Sequence, residues 1–127
     1  MSQRDWENLT HIERCFFINA IEHDILPGVF GDLEEFERRL PLDDLAGILL
    51  PLIDRGWIEA RRYARWITED GLEGLIPGDV VPRAELPQVL ADPANWEYPD
   101  DQSWIGTLTL VCTEAGLAIS RRSPEQR

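Results

Sequence analysis

The chain has 127 residues, of which 24 are acidic and 12 are basic, and it carries a net charge of −12. A chain of this length is expected to form one domain, and its hydrophobic content of 43% excludes an intrinsically disordered protein. No apolar run approaches the roughly 18 residues of a membrane span, and the polar start MSQRDWEN excludes a signal peptide. We therefore expect a cytoplasmic protein without a membrane partner.

The first predicted helix lies within residues 5–26, where apolar side chains recur along one stripe of a helical surface. Thr10 and Glu13 have the spacing of a capping box, so the regular helix is expected to begin near His11. The helix breakers Pro and Gly at positions 27 and 28 end the segment.

A second helix is predicted over residues 33–39. Asp32 and Glu35 form a capping-type pair at its start. Glu34 and Glu35 each precede an arginine by four residues, and Glu37 is expected on the same solvent-exposed face. The residues expected to face the core are Leu33, Phe36 and Leu40.

The third predicted helix follows the turn at Pro41 and ends at Gly56, a residue suited to the left-handed conformation that closes many helices. Asp43 is its expected N-cap. Pro51 falls inside this helix, where it removes a backbone donor and clashes with the carbonyl group of Gly47. We therefore expect either a kinked helix or a helix that starts later.

Two β-strands are predicted in the second half of the chain, at residues 57–63 and 105–112. The segment between them, residues 63–103, is too long for a simple hairpin turn, and a structureless loop of that length is unusual in a small domain. Within this insertion we expect a short helix at 84–91 and a further β-segment at 65–68.

The C-terminal part is expected to form a closing helix over residues 114–120, capped by Thr113, followed by a flexible tail at 121–127. Cys112 precedes this helix, and Cys15 lies in the first helix. Both cysteines have apolar neighbours, which favours buried free thiols over a disulfide bond.

Two short motifs stand on either side of the insertion. The first has the form L-x-x-x-G-x-I and the second approximates L-T-x-x-G, with two additional residues in its middle. They consist of Leu52, Gly56, Ile58, Leu110, Thr113 and Gly116. Together with the order of the helices, they resemble the winged helix-turn-helix superfamily, including MarR-like regulators. The resemblance implies an α+β fold, a single winged-helix domain over residues 1–127 with an insertion between the wing strands.

The resemblance also implies DNA binding through the third helix, but the charges of that helix are unsuited to it. Its outer face carries Asp43, Asp44 and Asp54. Carboxylates repel the phosphate backbone, whereas the family's contacts need basic or polar side chains. A basic cluster follows at Arg61, Arg62 and Arg65. These arginines can grip phosphate, although the excess of acidic residues favours their pairing within the chain.

Catalytic and metal-binding patterns are weak. His11 and Cys15 lie four residues apart on one helical face, a spacing that suits either a zinc site or a Cys–His nucleophile pair. A structural zinc site needs two further ligands, and apolar surroundings should raise the pKa of the Cys15 thiol. No glycine-rich phosphate loop occurs. We therefore predict a protein that is not an enzyme and has no metal and no cofactor.

These observations favour a non-enzymatic protein-binding module that engages a basic surface of a protein partner, such as an immunity or inhibitor protein or an adaptor. The predicted acidic contacts are Glu34, Glu35, Glu37, Asp43, Asp44 and Asp54. The candidate aromatic anchors are Trp96, Tyr98 and Trp104, since aromatic residues dominate binding hot spots, although each tryptophan suits a core equally well.

Two alternatives remain open from the sequence. The first is a dimeric MarR-like transcriptional regulator that contacts DNA through the arginine cluster, with DNA the less favoured partner. The second is a small-molecule sensor whose pocket is lined by Leu72, Leu75, Ile76, Val80 and Val81. The sequence is compatible with either a monomer or a homodimer.

Overall fold

The computed structural model of the protein describes residues 6–100 and 104–120. The tail predicted to be flexible, residues 121–127, lies outside the described residues. Helices make up most of the N-terminal part, and an antiparallel three-stranded sheet follows, so the chain has an α+β fold. Among the residues described, no helix combines the length and the apolarity that crossing a membrane requires.

Helix α1, His11–Ile21, begins where the capping box predicts. The Thr10 side chain accepts a hydrogen bond from the backbone N–H of Glu13 at 3.2 Å, and the Glu13 carboxylate accepts one from the backbone N–H of Thr10 at 2.7 Å. Phe16 and Phe17 on its inner face are completely buried. Helix α1 therefore supplies the centre of the hydrophobic core.

The chain leaves the helical path at His23, which has a φ of 54°. A 3-10 helix then occupies Leu26–Gly31 instead of the end of a longer first helix. A left-handed residue cannot continue a right-handed helix, so the segment turns back here. The turn brings Ile25 into an isolated β-bridge with Thr109.

Helix α2, Glu35–Arg38, is one turn long and out of phase with the second predicted helix. The Glu37 carboxylate accepts a hydrogen bond from the backbone N–H of Glu34 at 2.7 Å, so the helix is capped two residues later than the Asp32 pair predicts. This phase turns Glu37 inward and Phe36 outward, with exposures of 4% and 70%. The expectations that Phe36 faces the core and that Glu37 faces solvent are both wrong.

Helix α3, Leu42–Asp54, contains Pro51 without ending there. Its N-cap is Pro41, not Asp43 as predicted; Asp43 lies in the first turn. Gly56 follows the helix with a φ of 78°, as the sequence predicts. The buried face of α3 consists of Leu45, Ala46, Leu49 and Leu52.

The sheet has the strand order β2-β1-β3, with β1 at Ile58–Ile67, β2 at Glu73–Val80 and β3 at Leu108–Cys112. Both pairings are antiparallel. The two predicted strands correspond to β1 and β3 and are direct neighbours, with Ala60 opposite Leu110. The β-segment expected at 65–68 is mostly the end of β1 itself and not a separate strand.

The insertion between β1 and β3 is structured in its described part. Strand β2 pairs back on β1, and a 3-10 helix at Arg83–Glu85 leads into helix α4 at Leu86–Ala91, close to the predicted helix. A 3-10 helix at Pro93–Trp96 follows. Leu86, Leu90 and Trp96 are buried in the core, so this part of the insertion packs on the domain.

Helix α5, Glu114–Ser120, is capped as predicted. The Thr113 hydroxyl oxygen accepts a hydrogen bond from the backbone N–H of Gly116 at 3.1 Å. Gly116 approaches the main chain closely, because a Cβ atom there would lie 2.2 Å from the carbonyl oxygen of Trp57. Cys15 and Cys112 are buried and form no disulfide bond with each other, as the sequence predicts.

Candidate functional site

Exposed carboxylates flank the exposed phenyl ring of Phe36 along the chain. We call this group the acidic surface, and it consists of Phe36 with Asp32, Glu34, Glu35, Asp43 and Asp44. Phe36 is 70% exposed, which leaves a large apolar group in water. A protein–protein interface usually has an apolar centre and a polar rim, and this segment exposes groups of both kinds.

The two arginines in this segment neutralise little of its charge. The Arg38 guanidinium donates to two backbone carbonyl oxygens, those of Phe30 at 2.8 Å and Leu33 at 3.1 Å. Arg39 forms an exposed pair with Glu35 at 2.6 Å. Among the described residues, no salt bridge involves the other carboxylates of the acidic surface. The surface therefore keeps an excess of negative charge.

Glu37 does not belong to this surface, although the sequence predicts it as a partner contact. Its side chain is only 6% exposed, and its two carboxylate oxygens lie 2.8 Å and 3.1 Å from Nδ1 of His11. It also caps α2 through the backbone N–H of Glu34. Glu37 therefore joins α1 to α2 and is unavailable to a partner.

The Cys15 thiol lies beside this bridge, and its pKa is raised. Its Sγ atom is 3.8 Å from Nε2 of His11 and 3.4 Å from the carbonyl oxygen of Asp32, to which it donates. Burial, followed by the nearby carboxylates of Asp32, Glu37 and Glu34, raises the pKa of Cys15 to about 11. A thiol with so high a pKa stays protonated at neutral pH, and a protonated thiol is a poor nucleophile.

Asp54 lies at the other end of α3 from Asp43, about 16 Å away along the helix. Its carboxylate accepts a hydrogen bond from Nε of Arg83 at 2.6 Å, and both side chains are about half exposed. The hydrogen bond from Arg83 holds the pKa of Asp54 below its usual value. Asp54 is therefore separate from the acidic surface, and its charge is paired with that of Arg83.

The three arginines proposed for DNA contact are occupied within the chain. Arg61 pairs with Glu59 at 2.9 Å, and Arg65 pairs with Glu73. Arg62 donates to a backbone carbonyl oxygen in the loop before β3 at 2.9 Å. The pairing of Arg61 and Arg65 within the chain agrees with the favoured expectation.

Of the three candidate aromatic anchors, Trp96 is part of the core. It is 4% exposed, its ring packs against Phe16, and its Nε1 donates to the carbonyl oxygen of Leu90 at 2.9 Å. The prediction of Trp96 as an anchor is wrong, because the 3-10 helix turns its ring inward. Tyr98 is 61% exposed, and Trp104 is partly exposed with a φ of 59°. These two remain accessible.

Two open clefts lie on the insertion. The first, of about 370 Å³, has Tyr98 and Thr107 in its lining. The second, of about 350 Å³, is lined by Arg62, Tyr63, Ala64, Asp79, Val80, Val81, Pro82 and Glu85. Of the residues predicted to line a ligand pocket, Val80 and Val81 line this second cleft, whereas Leu72, Leu75 and Ile76 are exposed on the hairpin.

The exposure of Phe36 differs from its expected place in the core. The available signal was the spacing of Glu34 and Glu37, which provides a second capping pair in competition with Asp32 and Glu35. Within residues 6–100 and 104–120, no group of three or more His, Cys, Asp or Glu side chains is arranged to hold a metal ion. In comparisons with known proteins, no protein-family model, no curated protein and no solved structure matches the chain.

Proposed function

We propose that the chain is a non-enzymatic protein-binding module that engages a basic partner through the acidic surface, in the manner of an immunity protein, an inhibitor or an adaptor. The observation that carries this proposal is the exposure of Phe36, at 70%, among exposed carboxylates of which, in the described chain, only Glu35 forms a salt bridge. The net charge of −12 would steer a basic partner toward the protein. Phe36 would then supply the apolar contact that holds it.

We also propose that the domain is an acidic variant of the winged-helix fold. In its support, three helices precede an antiparallel sheet, and the strands β1 and β3 are neighbours. The helix in the position of a recognition helix is α3, whose exposed residues include Asp43, Asp44 and Asp54. This charge suits a protein partner better than DNA.

The first experiment identifies the partner in the source organism. A photo-crosslinking phenylalanine analogue placed at position 36 preserves the aromatic ring and should capture one basic protein. The same analogue at Tyr98 serves as a matched control, because that position is similarly exposed. We expect the partner to crosslink from position 36, and capture from position 98 alone would contradict the proposal.

The second experiment measures affinity for the purified partner. We expect Phe36→Ala and the double variant Glu34→Gln with Glu35→Gln each to weaken binding at least about tenfold. The acidic control, Glu69→Gln with Asp70→Asn at the turn after β1, should bind like the wild type. Binding should also weaken as salt is raised, because charge attraction is screened. Equal losses in the control would overturn the proposal.

The MarR-like alternative makes a different prediction for GC-rich duplex DNA. It requires binding at about 50 mM salt that falls steeply by about 200 mM, because displaced counterions drive phosphate binding. It further requires that binding is lost when Arg62 and Arg65 are replaced. We expect no such binding, and salt-sensitive binding that depends on these arginines would replace our proposal with the regulator.

A further inference from the structure

We infer that the β1–β2 hairpin is a self-association surface, through which a second copy of this chain pairs with the open edge of β2. The sheet order places β2 at one end, and among the described residues no strand covers its outer side. On the opposite side of the sheet, the outer edge of β3 is partly covered by the bridge from Ile25 to Thr109. Within residues 6–100 and 104–120 the two edges therefore differ, and that of β2 is the more open.

The backbone groups that face outward from β2 follow from the hydrogen bonds of its neighbour. The N–H of Tyr63 donates to the Thr107 carbonyl oxygen at 3.0 Å, and its carbonyl oxygen accepts from Gly106 at 2.8 Å. Both groups of Tyr63 thus point away from β2. Antiparallel pairs alternate, so Pro77, the partner of Tyr63, has its own backbone groups directed outward.

The same alternation applies along the rest of β2. Leu75 and Glu73 are two and four residues from Pro77 and lie opposite Arg65 and Ile67, so their N–H and C=O groups also point outward. The turn agrees with this phase, because Thr68 donates to Leu72 at 2.8 Å. The edge thus offers the backbone groups of Glu73 and Leu75 and the carbonyl group of Pro77. Edges of this kind are templates for strand addition.

The hairpin is also the part of the described chain where exposed apolar side chains gather. They are Trp66, Ile67, Leu72, Leu75 and Ile76, with exposures between 38% and 66%. Because side chains alternate along a strand, Trp66, Leu72 and Ile76 lie on one face of the hairpin, and Ile67 and Leu75 lie on the other. This surface favours a partner that covers the hairpin.

The distribution of charge favours a second copy as that partner. Residues 61–80 contain four acidic residues and three arginines, so this segment is nearly neutral. The remaining 20 of the 24 acidic residues lie outside the hairpin. Two copies with a net charge of −12 each repel one another at most orientations. The hairpin is where two such chains can approach with the least repulsion. A strongly basic partner would instead favour the acidic surface.

The edge allows a self-complementary register in which β2 pairs antiparallel with β2 of the second copy about a two-fold axis at Leu75. Each Leu75 N–H donates to the Leu75 carbonyl oxygen of the other copy, and each Glu73 N–H donates to the carbonyl oxygen of Pro77. Pro77 lacks only a donor, so it leaves these four bonds intact.

Side chains complement this register on one face of the hairpin. Trp66 pairs with Gly74 and lies over it, because a Cβ atom at Gly74 would be 3.9 Å from the ring. In the two-fold pair, Ile76 of the second copy stands opposite Gly74 and therefore beside Trp66. A dimer joined through one pair of short strands buries little surface and is therefore weak. We expect a dissociation constant on the order of 10–100 µM.

Sedimentation equilibrium from about 5 to 500 µM protein tests the dimer across the expected range. We expect the wild type to dimerise, and more tightly at higher salt, because salt screens the repulsion between two acidic chains. This salt dependence is opposite to that expected for the basic partner. A wild type that stays monomeric throughout at both low and high salt would overturn the inference.

Two variants separate the hairpin from other surfaces. Ile76→Arg places a charge on the dimer face and should weaken the dimer at least about tenfold. Phe36→Arg is the matched control, since it makes the same kind of change on the acidic surface, and it should dimerise like the wild type. Circular dichroism checks that both variants are folded. Dimerisation unaffected by Ile76→Arg, or abolished by Phe36→Arg, would contradict the hairpin as the interface.

Hydrogen exchange provides a readout of the register that needs no substitution. The amides of Gly74 and Ile76 face β1 and should be protected at all concentrations, whereas those of Glu73 and Leu75 should become protected only as the dimer forms. If the amides of Glu73 and Leu75 exchange equally fast in monomer and dimer, the two chains do not pair at this edge.

Discussion

His11 of α1 and Glu37 of α2 form a bridge between two segments that are 26 residues apart in the chain, with Nδ1 of the histidine 2.8 Å from the carboxylate. The same carboxylate accepts the backbone N–H of Glu34. One side chain therefore fixes both the start of α2 and its docking on α1. As a consequence, the neighbouring residue Phe36 is directed into solvent.

Removal of the Glu37 carboxylate should destabilise the fold. We expect Glu37→Ala to lower the free energy of unfolding by about 2–3 kcal/mol, because it leaves a cap and a histidine without their acceptor. His11→Ala should cost less, since that side chain is 51% exposed. Urea unfolding of both single variants and the double variant should give a coupling of about 1 kcal/mol. Strictly additive effects would show that the bridge contributes nothing.

Trp96 should behave as a core residue and Tyr98 as a surface residue. Trp96→Ala removes a buried indole and its hydrogen bond to Leu90, so we expect it to lower the free energy of unfolding by about 3–5 kcal/mol. Tyr98→Ala should change it by less than about 0.5 kcal/mol. Thermal or urea unfolding of both variants measures these changes. A small loss of stability in Trp96→Ala would contradict its place in the core and make it a candidate partner contact again.

Two glycines should respond oppositely to alanine. Gly116→Ala would place a Cβ atom 2.2 Å from the Trp57 carbonyl oxygen and 2.7 Å from Sγ of Cys112, so helix α5 must shift. We expect a loss of at least about 2 kcal/mol in the free energy of unfolding. Gly47 is exposed within α3 with open space around it, and Gly47→Ala should raise stability by about 0.5–1 kcal/mol. Similar effects at both sites would contradict the close approach of α5 to Trp57.

The Cys15 thiol should make stability fall in alkaline solution. Its pKa is raised from 9.0 to about 11 in the folded chain, so its contribution is complete below pH 9. As the pH rises from 9 to about 11, the unfolded state loses the proton first, and roughly 2 kcal/mol of stability is lost. Cys15→Ala should lack this part of the decline in urea unfolding measured from pH 8 to pH 11. An identical decline in both proteins would refute the raised pKa.

Alkylation provides a second readout for the same thiol. Iodoacetamide should modify Cys15 far more slowly in the folded protein than in urea, because the buried thiol is both covered and protonated. A variant with Cys112→Ala isolates the signal of Cys15. Rapid modification of the folded variant at pH 8 would indicate an activated thiol and reopen the Cys–His pair as a catalytic possibility.

The sequence by itself determined those elements whose signals are local. The capping box at Thr10 set the start of α1, Gly56 ended α3, and the alternation before Thr113 marked β3. The apolar neighbours of Cys15 were enough to predict the raised pKa of its thiol. In each case the residues that decide the outcome are a few positions apart, so their spacing carries the information.

Only the tertiary structure decided the phase of α2. Asp32 with Glu35 and Glu34 with Glu37 offer equivalent capping pairs, and neither spacing is better locally. The pair of Glu34 and Glu37 forms the cap because Glu37 also contacts His11, a residue on another helix. That choice exposes Phe36 and so creates the apolar centre of the acidic surface.

The open edge of β2 was equally invisible in the sequence, because pairing depends on which strands become neighbours. Strand β1 takes β3 on one side and β2 on the other, although β3 lies far along the chain. The outward direction of Leu75 follows from the bonds between Tyr63 and the loop before β3. Local spacing specifies what a segment can become, and contacts between distant segments decide which of its faces is left to bind a partner.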